Sequence, residues 1–100
     1  MTLQITESNG ALVGKLIGRL DTVASAQFAR DMQPLLDNAD KHIVLDCAGL
    51  EFISSSGLRL FLSLRKETMG KGGDVTIKNV SAEVKQVFTI TGFYSLFNFE

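Results

Sequence analysis

The chain has 100 residues, 45% of them hydrophobic, and a formal net charge of −1. That length suits a single domain, 1–100, which buries roughly two-thirds of its unfolded surface and needs no metal or disulfide staple. Acids and bases are mixed along the sequence, which argues against a nucleic-acid binder with its basic face.

Cys47 is the one cysteine and cannot form an internal disulfide, and no signal peptide precedes Leu3. Lys15, Arg19, Arg59 and Arg65 break the apolar stretches well short of the ~20 residues a membrane span needs. The expectation is a cytoplasmic module with no membrane insertion.

The segment "TLQITES" alternates apolar and polar residues, and "ALVGKLIGRL" follows Asn9-Gly10, a strong signal for a β-hairpin. Asp21 and Thr22 are good helix N-caps. Beyond them Val23, Phe28, Met32, Leu35, Leu36 and Ala39 approximate a helical stripe, which Pro34 should bend or cut short. "HIVLDC" at 42–47 reads as a buried strand. The run Ser54–Ser56 and Gly57 come next, leading into "GLRLFLSLRKETMG", where Leu58, Phe61 and Leu62 share one side, widened by Leu60 and Leu64. Gly70, Gly72 and Gly73 mark the end of that helix. "DVTIKNV" is another alternating strand. Ser81 caps a third helix with Glu83 in its first turn and Val84, Val87, Phe88 and Thr91 on one face. Gly92 stops it, and "FYSLFNFE" reads as a short edge strand.

Strands alternating with helices predict an α/β fold whose sheet is largely parallel after the opening hairpin. The serines then sit at the carboxyl end of a strand, where such sheets place their sites.

Catalysis fits these residues poorly. A hydrolase elbow centred on Ser55 would have Gly57, but Ile53 stands where its first glycine belongs, and the lone His42 begins a strand directed elsewhere. Gly70-Lys71 fails as a phosphate loop, because Arg65 replaces the leading glycine, Gly72 replaces the Ser/Thr, and the glycines follow a helix. One His and one Cys without clustered carboxylates give no metal site, and Cys47 reads as a small buried hydrophobe. No catalytic, cofactor-binding or metal-ligating residue is expected.

A hydroxyl at a helix start has two uses. It caps an orphan N–H, worth about 1 kcal/mol, and one serine suffices for that. It can also carry a phosphate, which the free N–H groups and macrodipole of a helix start tolerate, while the same dianion in an apolar contact with a partner costs several kcal/mol.

The stretch "VLDCAGLEFISSSGLRLFLSLRK" resembles the signature of STAS domains of the anti-sigma factor antagonist family. "GRLDTVAS" is similar to the family's Gly-x-Leu-Asp segment, and "VKQVFTITGFYSLFNFE" to its carboxyl-terminal helix and tail. The resemblance implies the STAS fold: a mixed, mostly parallel sheet of about four or five strands with three or more helices mainly on one face. It implies Ser55 as phosphoacceptor, with Ser56 and Ser54 as alternates, and Gly57 as the motif's turn residue. Asp21 matches the family's acid near the acceptor. The implied partner surface comprises Asp21, Thr22, Phe52, Ser54, Ser55, Ser56, Gly57, Leu58 and Arg59. The chain departs from many regulatory members in carrying Ser54 where they carry Asp.

The resemblance further implies a non-enzymatic partner-switching regulator of transcription. Unmodified, it binds an anti-sigma factor that is often itself a serine kinase; phosphorylated, it is released; a serine phosphatase resets it. ATP and Mg²⁺ belong to the kinase. Two other roles of STAS domains stay open at this point: a subunit clamping the ATPase of a lipid ABC transporter, and a scaffold in a stress-signalling assembly. So does the oligomeric state.

Overall fold

The computed structural model describes all of residues 1–100. Strands β1 (Thr2–Ser8) and β2 (Ala11–Leu20) form the antiparallel hairpin expected from Asn9-Gly10. Both turn residues have positive φ, 51° and 82°, the conformation a tight primed turn demands and the reason these two types occupy it. Strands β3 (His42–Ile53), β4 (Asp74–Lys78) and β5 (Asn98–Phe99) join in parallel, in the order β1-β2-β3-β4-β5.

Helix α1 (Thr22–Asp31) leaves β2 and is broken at Met32, after which the short α2 (Gln33–Asp37) begins with Pro34 in its first turn. A proline lacks the N–H that a continuous helix would need there, but a helix start does not. Helix α3 (Ser55–Lys71) ends on Gly72 in the left-handed conformation, φ 85°. Helix α4 (Ala82–Ile90) is capped by Ser81, whose Oγ accepts from the Val84 N–H at 3.2 Å. A 3-10 turn, Tyr94–Leu96, interrupts the tail before β5. No helix is long and apolar enough to cross a membrane.

The helices cover one face of the sheet. Leu12, Leu16 and Leu20 of β2, Ile43, Leu45, Cys47, Leu50 and Ile53 of β3, and Val75 and Ile77 of β4 point into it and join one buried cluster. Above them run three tilted rings, Phe28, Phe61 and Phe88, with centroids 6.0 and 5.9 Å apart, and Phe97 and Phe99 stand edge-on to Phe88. Burial pushes the Cys47 thiol up to about 12, with Asp46 adding to the shift, so this group behaves as a hydrophobe.

Two expectations need correction. Val23 belongs outside the core stripe: it is 86% exposed, because α1 starts at Thr22 and buries Ser25 and Phe28 instead. Thr91 is also exposed, its hydroxyl donating back to the Val87 carbonyl at 2.7 Å.

On the uncovered face, the N–H of Ala48 and the side-chain amide of Asn79 both donate to Asp46 Oδ1 at 3.1 Å. These bonds, with Lys15 and Lys78 nearby, hold the carboxyl below its usual range against an opposing desolvation. The folded value lies below the unfolded one, so this stabilisation is complete above the unfolded pKa and is lost as pH falls through the folded pKa. Urea midpoints measured from about pH 5 down to about pH 2 will therefore fall more steeply for the parent than for Asp46→Asn.

The serine turn as candidate functional site

Strand β3 runs six residues beyond the segment read as a strand from sequence, 42–47, and ends at Ile53. Its register against β2 slips twice, between Lys15 and Ile17 and between Gly18 and Arg19. After the second slip Arg19 pairs with Phe52 and Leu20 with Ile53. The ladder then takes one further step: the Ser54 N–H donates to the Leu20 carbonyl at 2.8 Å. Two chain segments leave the sheet side by side here, Leu20 into α1 and Ile53 into α3.

The three serines divide the work. Ser54 is the N-cap, its Oγ accepting from the Gly57 N–H at 3.2 Å and its carbonyl from the Leu58 N–H at 3.0 Å. Ser56 is half-buried. Ser55, the first helical residue, is exposed, and its hydroxyl has no protein partner.

The neighbouring helix start is capped by Asp21, whose Oδ1 accepts from the Ala24 N–H at 2.8 Å while the Ser25 hydroxyl donates to its carbonyl. Thr22 is exposed beside it. Phe52 is 37% exposed, and the Arg19 guanidinium lies 4.6 Å from its ring centroid. Arg59, one turn beyond Ser55, is exposed and its guanidinium makes no hydrogen bond or ion pair.

Two residues expected on the contact surface are inside instead. Leu58 is 0% exposed and packs into the core, so it anchors α3 rather than touching a partner. Gly57 is buried too, and it is a helical residue rather than a turn residue: a Cβ there would lie 2.8 Å from the Leu20 side chain and 3.1 Å from Ile53. The motif needs glycine for close packing of helix on sheet. Val23, which sequence reasoning counted as core, takes its place outside as an apolar side chain next to Asp21 and Thr22. The informative signal was its position, directly after a capping pair, where a helix has barely turned toward the core.

Catalytic constellations do not assemble here. His42 pairs with Asp74 at the opposite end of the twelve-residue β3 from the serines. A cleft of about 270 Å³ lies elsewhere, between the second half of α3 and the carboxyl-terminal tail, lined by Arg65, Met69, Asp74 and Leu96.

Fold and turn define an α/β domain that displays a free hydroxyl at a helix start between two strand ends. The sequence profile of the STAS domain matches residues 2–100, and the chain belongs to that family, among its anti-sigma factor antagonists. It is 30% identical over 97 residues to BtrV of Bordetella bronchiseptica, provisionally named an anti-sigma factor antagonist, spanning 97% of this chain and 84% of that protein. It is 27% identical to the anti-sigma F factor antagonist of Paenibacillus polymyxa, over 96% of this chain and 83% of that one. Its fold matches SpoIIAA of Bacillus, 23% identical, in the unphosphorylated form with TM-score 0.80 and in the phosphorylated form with TM-score 0.73. The match covers 99% of this chain and 88% and 91% of those chains.

Gly57→Ala forces the added methyl against Leu20 and should cost about 1–3 kcal/mol. Ser54→Ala loses only a cap, about 1 kcal/mol. Urea unfolding of the two variants should preserve that order, with circular dichroism unchanged before the transition.

Proposed function

We propose that this chain is an anti-sigma factor antagonist that works as a partner switch, with Ser55 as the phosphoacceptor. One observation carries the reading: of the three adjacent hydroxyls, the one at 55 is exposed and free, while Ser54 already serves as cap. The modification can therefore come and go without removing a bond on which the fold relies.

In this reading the unmodified protein docks a cytoplasmic anti-sigma factor through Asp21, Thr22, Val23, Phe52, the serine turn and Arg59, and so frees the sigma factor for transcription. The kinase is the anti-sigma factor itself, which holds ATP and Mg²⁺; the antagonist contributes a hydroxyl and no catalysis. The Ser55 Oγ attacks the γ-phosphorus, the bond to ADP breaks, and the hydroxyl proton passes to a base of the kinase. A serine phosphatase restores the hydroxyl. Family membership, and the relatives named as anti-sigma factor antagonists, support this assignment of partner class.

A dianion placed in a desolvated interface costs several kcal/mol, and 3–4 kcal/mol is roughly a hundred- to thousandfold in affinity. Ser55→Ala should hold the cognate anti-sigma factor constitutively in a pull-down with ATP, while Ser55→Asp folds normally and binds weakly. Equal retention of both variants would defeat the proposal.

A further inference from the structure

Three helices of the chain are longer than two turns, and two of them begin with a carboxylate. Helix α1 has Asp21 at its cap, and α4 has Glu83 in its first turn. Helix α3, the longest, has a neutral cap in Ser54 and no acidic residue in its first turn. The first charge along it is Arg59, a cation near the positive end of the macrodipole, where a cation is disfavoured. Nothing in the structure compensates that guanidinium. The chain's ion pairs are His42–Asp74 and Lys71–Glu67, and the other arginine beside the turn, Arg19, is already engaged with Phe52.

Residues four apart on a helix are neighbours on its surface, with Cβ atoms about 5–6 Å apart. Ser55 and Arg59 stand in that relation, and both are exposed. The amides of Ser55 and Ser56 are also unclaimed, because Ser54 takes the N–H groups of Gly57 and Leu58. A tetrahedral anion attached at Ser55 Oγ thus finds a planar, five-donor guanidinium on one side and free backbone donors on the other.

We propose that Arg59 is the internal receptor for a phosphate on Ser55, folding the anion back along α3. The inference rests on Ser55 being the phosphoacceptor and adds what the modified domain does next. The phosphate supplies the negative charge that the start of α3 lacks, and in the same event removes a free cation from the docking surface. Arg59 acts as a positioning residue. Its substitution leaves the hydroxyl available, but leaves the phosphate without its fixed orientation.

Phosphoserine installed at position 55 during synthesis, with no kinase involved, allows a direct test in three backgrounds: the parent, Arg59→Lys and Arg59→Ala. Urea unfolding of each chain with and without the phosphate closes a double-mutant cycle. In the parent the phosphate should disfavour unfolding about three- to tenfold, part of the Arg59-dependent share should survive in Arg59→Lys, and only the smaller effect of the helix start, about twofold, should remain in Arg59→Ala. The effect should shrink at high salt. In NMR spectra the Arg59 Nε–H resonance should shift and exchange more slowly only when the phosphate is present. An equal effect of the phosphate on unfolding in the parent and Arg59→Ala, with an unmoved Nε–H resonance, overturns the proposal. A pull-down of the same proteins with the anti-sigma factor reports separately on the switch. Release by phosphate with a flat cycle sinks Arg59 alone, and retained binding with a coupled cycle sinks only phosphate-driven release.

Discussion

The site depends on how closely the start of α3 approaches the end of β2. One backbone bond, from the Ser54 N–H to the Leu20 carbonyl, continues the β2–β3 ladder a step beyond the strands themselves. One absent side chain, at Gly57, lets the first turn of the helix settle onto Leu20 and Ile53. Because Asp21 follows Leu20 directly, the same contact brings the first turn of α1 beside that of α3. Separating α3 from β2 by the width of a methyl group would disturb the cap, the ladder and the proposed contact surface together. The buried position of Leu58, next in sequence, has the same origin: once Gly57 lies on the sheet, the following side chain is driven into the core.

The hydroxyl at 55 is consequently independent of the forces that hold the turn. Capping is done by Ser54, packing by Gly57, Leu58 and Phe61, and nothing in the hydrogen-bond network runs through the Ser55 side chain. At the other two long helices the capping residue is also the obvious polar group: Asp21 and Ser81 are each committed to an orphan amide. Thr22 also leaves a hydroxyl without a partner on the first turn of α1, but only at the triple serine does the spare hydroxyl stand directly beside a serine that already caps its helix. The redundancy that looks odd in sequence is the physical condition for a modifiable residue that the fold does not need.

Much of this was legible in the sequence, because local chemistry dictates it. Asn9-Gly10 gives a hairpin, Asp21 and Ser81 give helix starts, Pro34 splits α1 from α2, and Gly72 closes α3. The full reach of β3 was not, since register slips against β2 break the period-two alternation on which strand reading relies. Val23 was misread because a hydrophobic stripe counted from the first apolar residue ignores how little a helix has turned by its second position. The inward direction of Leu58 and the packing role of Gly57 depend on Leu20, far away in sequence, and no local pattern reports such a contact. The 3-10 turn at Tyr94–Leu96 was likewise hidden: the tail read as a short edge strand, which holds for Asn98–Phe99 beside β4, while the turn before it serves to bring Phe97 and Phe99 edge-on to Phe88.

A neutral cap at 54 in place of a carboxylate sets the energetics of a phosphate at 55 in a definite direction. With a carboxylate at 54, the start of α3 would already carry an anion, and an added phosphate would meet like charge one residue away. With Ser54 the helix start is electrostatically unfilled, so a phosphate gains about 0.3–1 kcal/mol from the macrodipole on arrival and meets no carboxylate at its immediate neighbour. The same group adds about −1.5 to −2 charges to a chain of net charge −1, concentrated at one exposed residue of the first turn of α3. A partner that covers that turn must desolvate the anion, at a cost several times larger than the gain to the fold. Under the proposed switch, folding and docking would respond to one modification with opposite signs and unequal sizes. That inequality is what would let a 100-residue domain change its company without changing its shape.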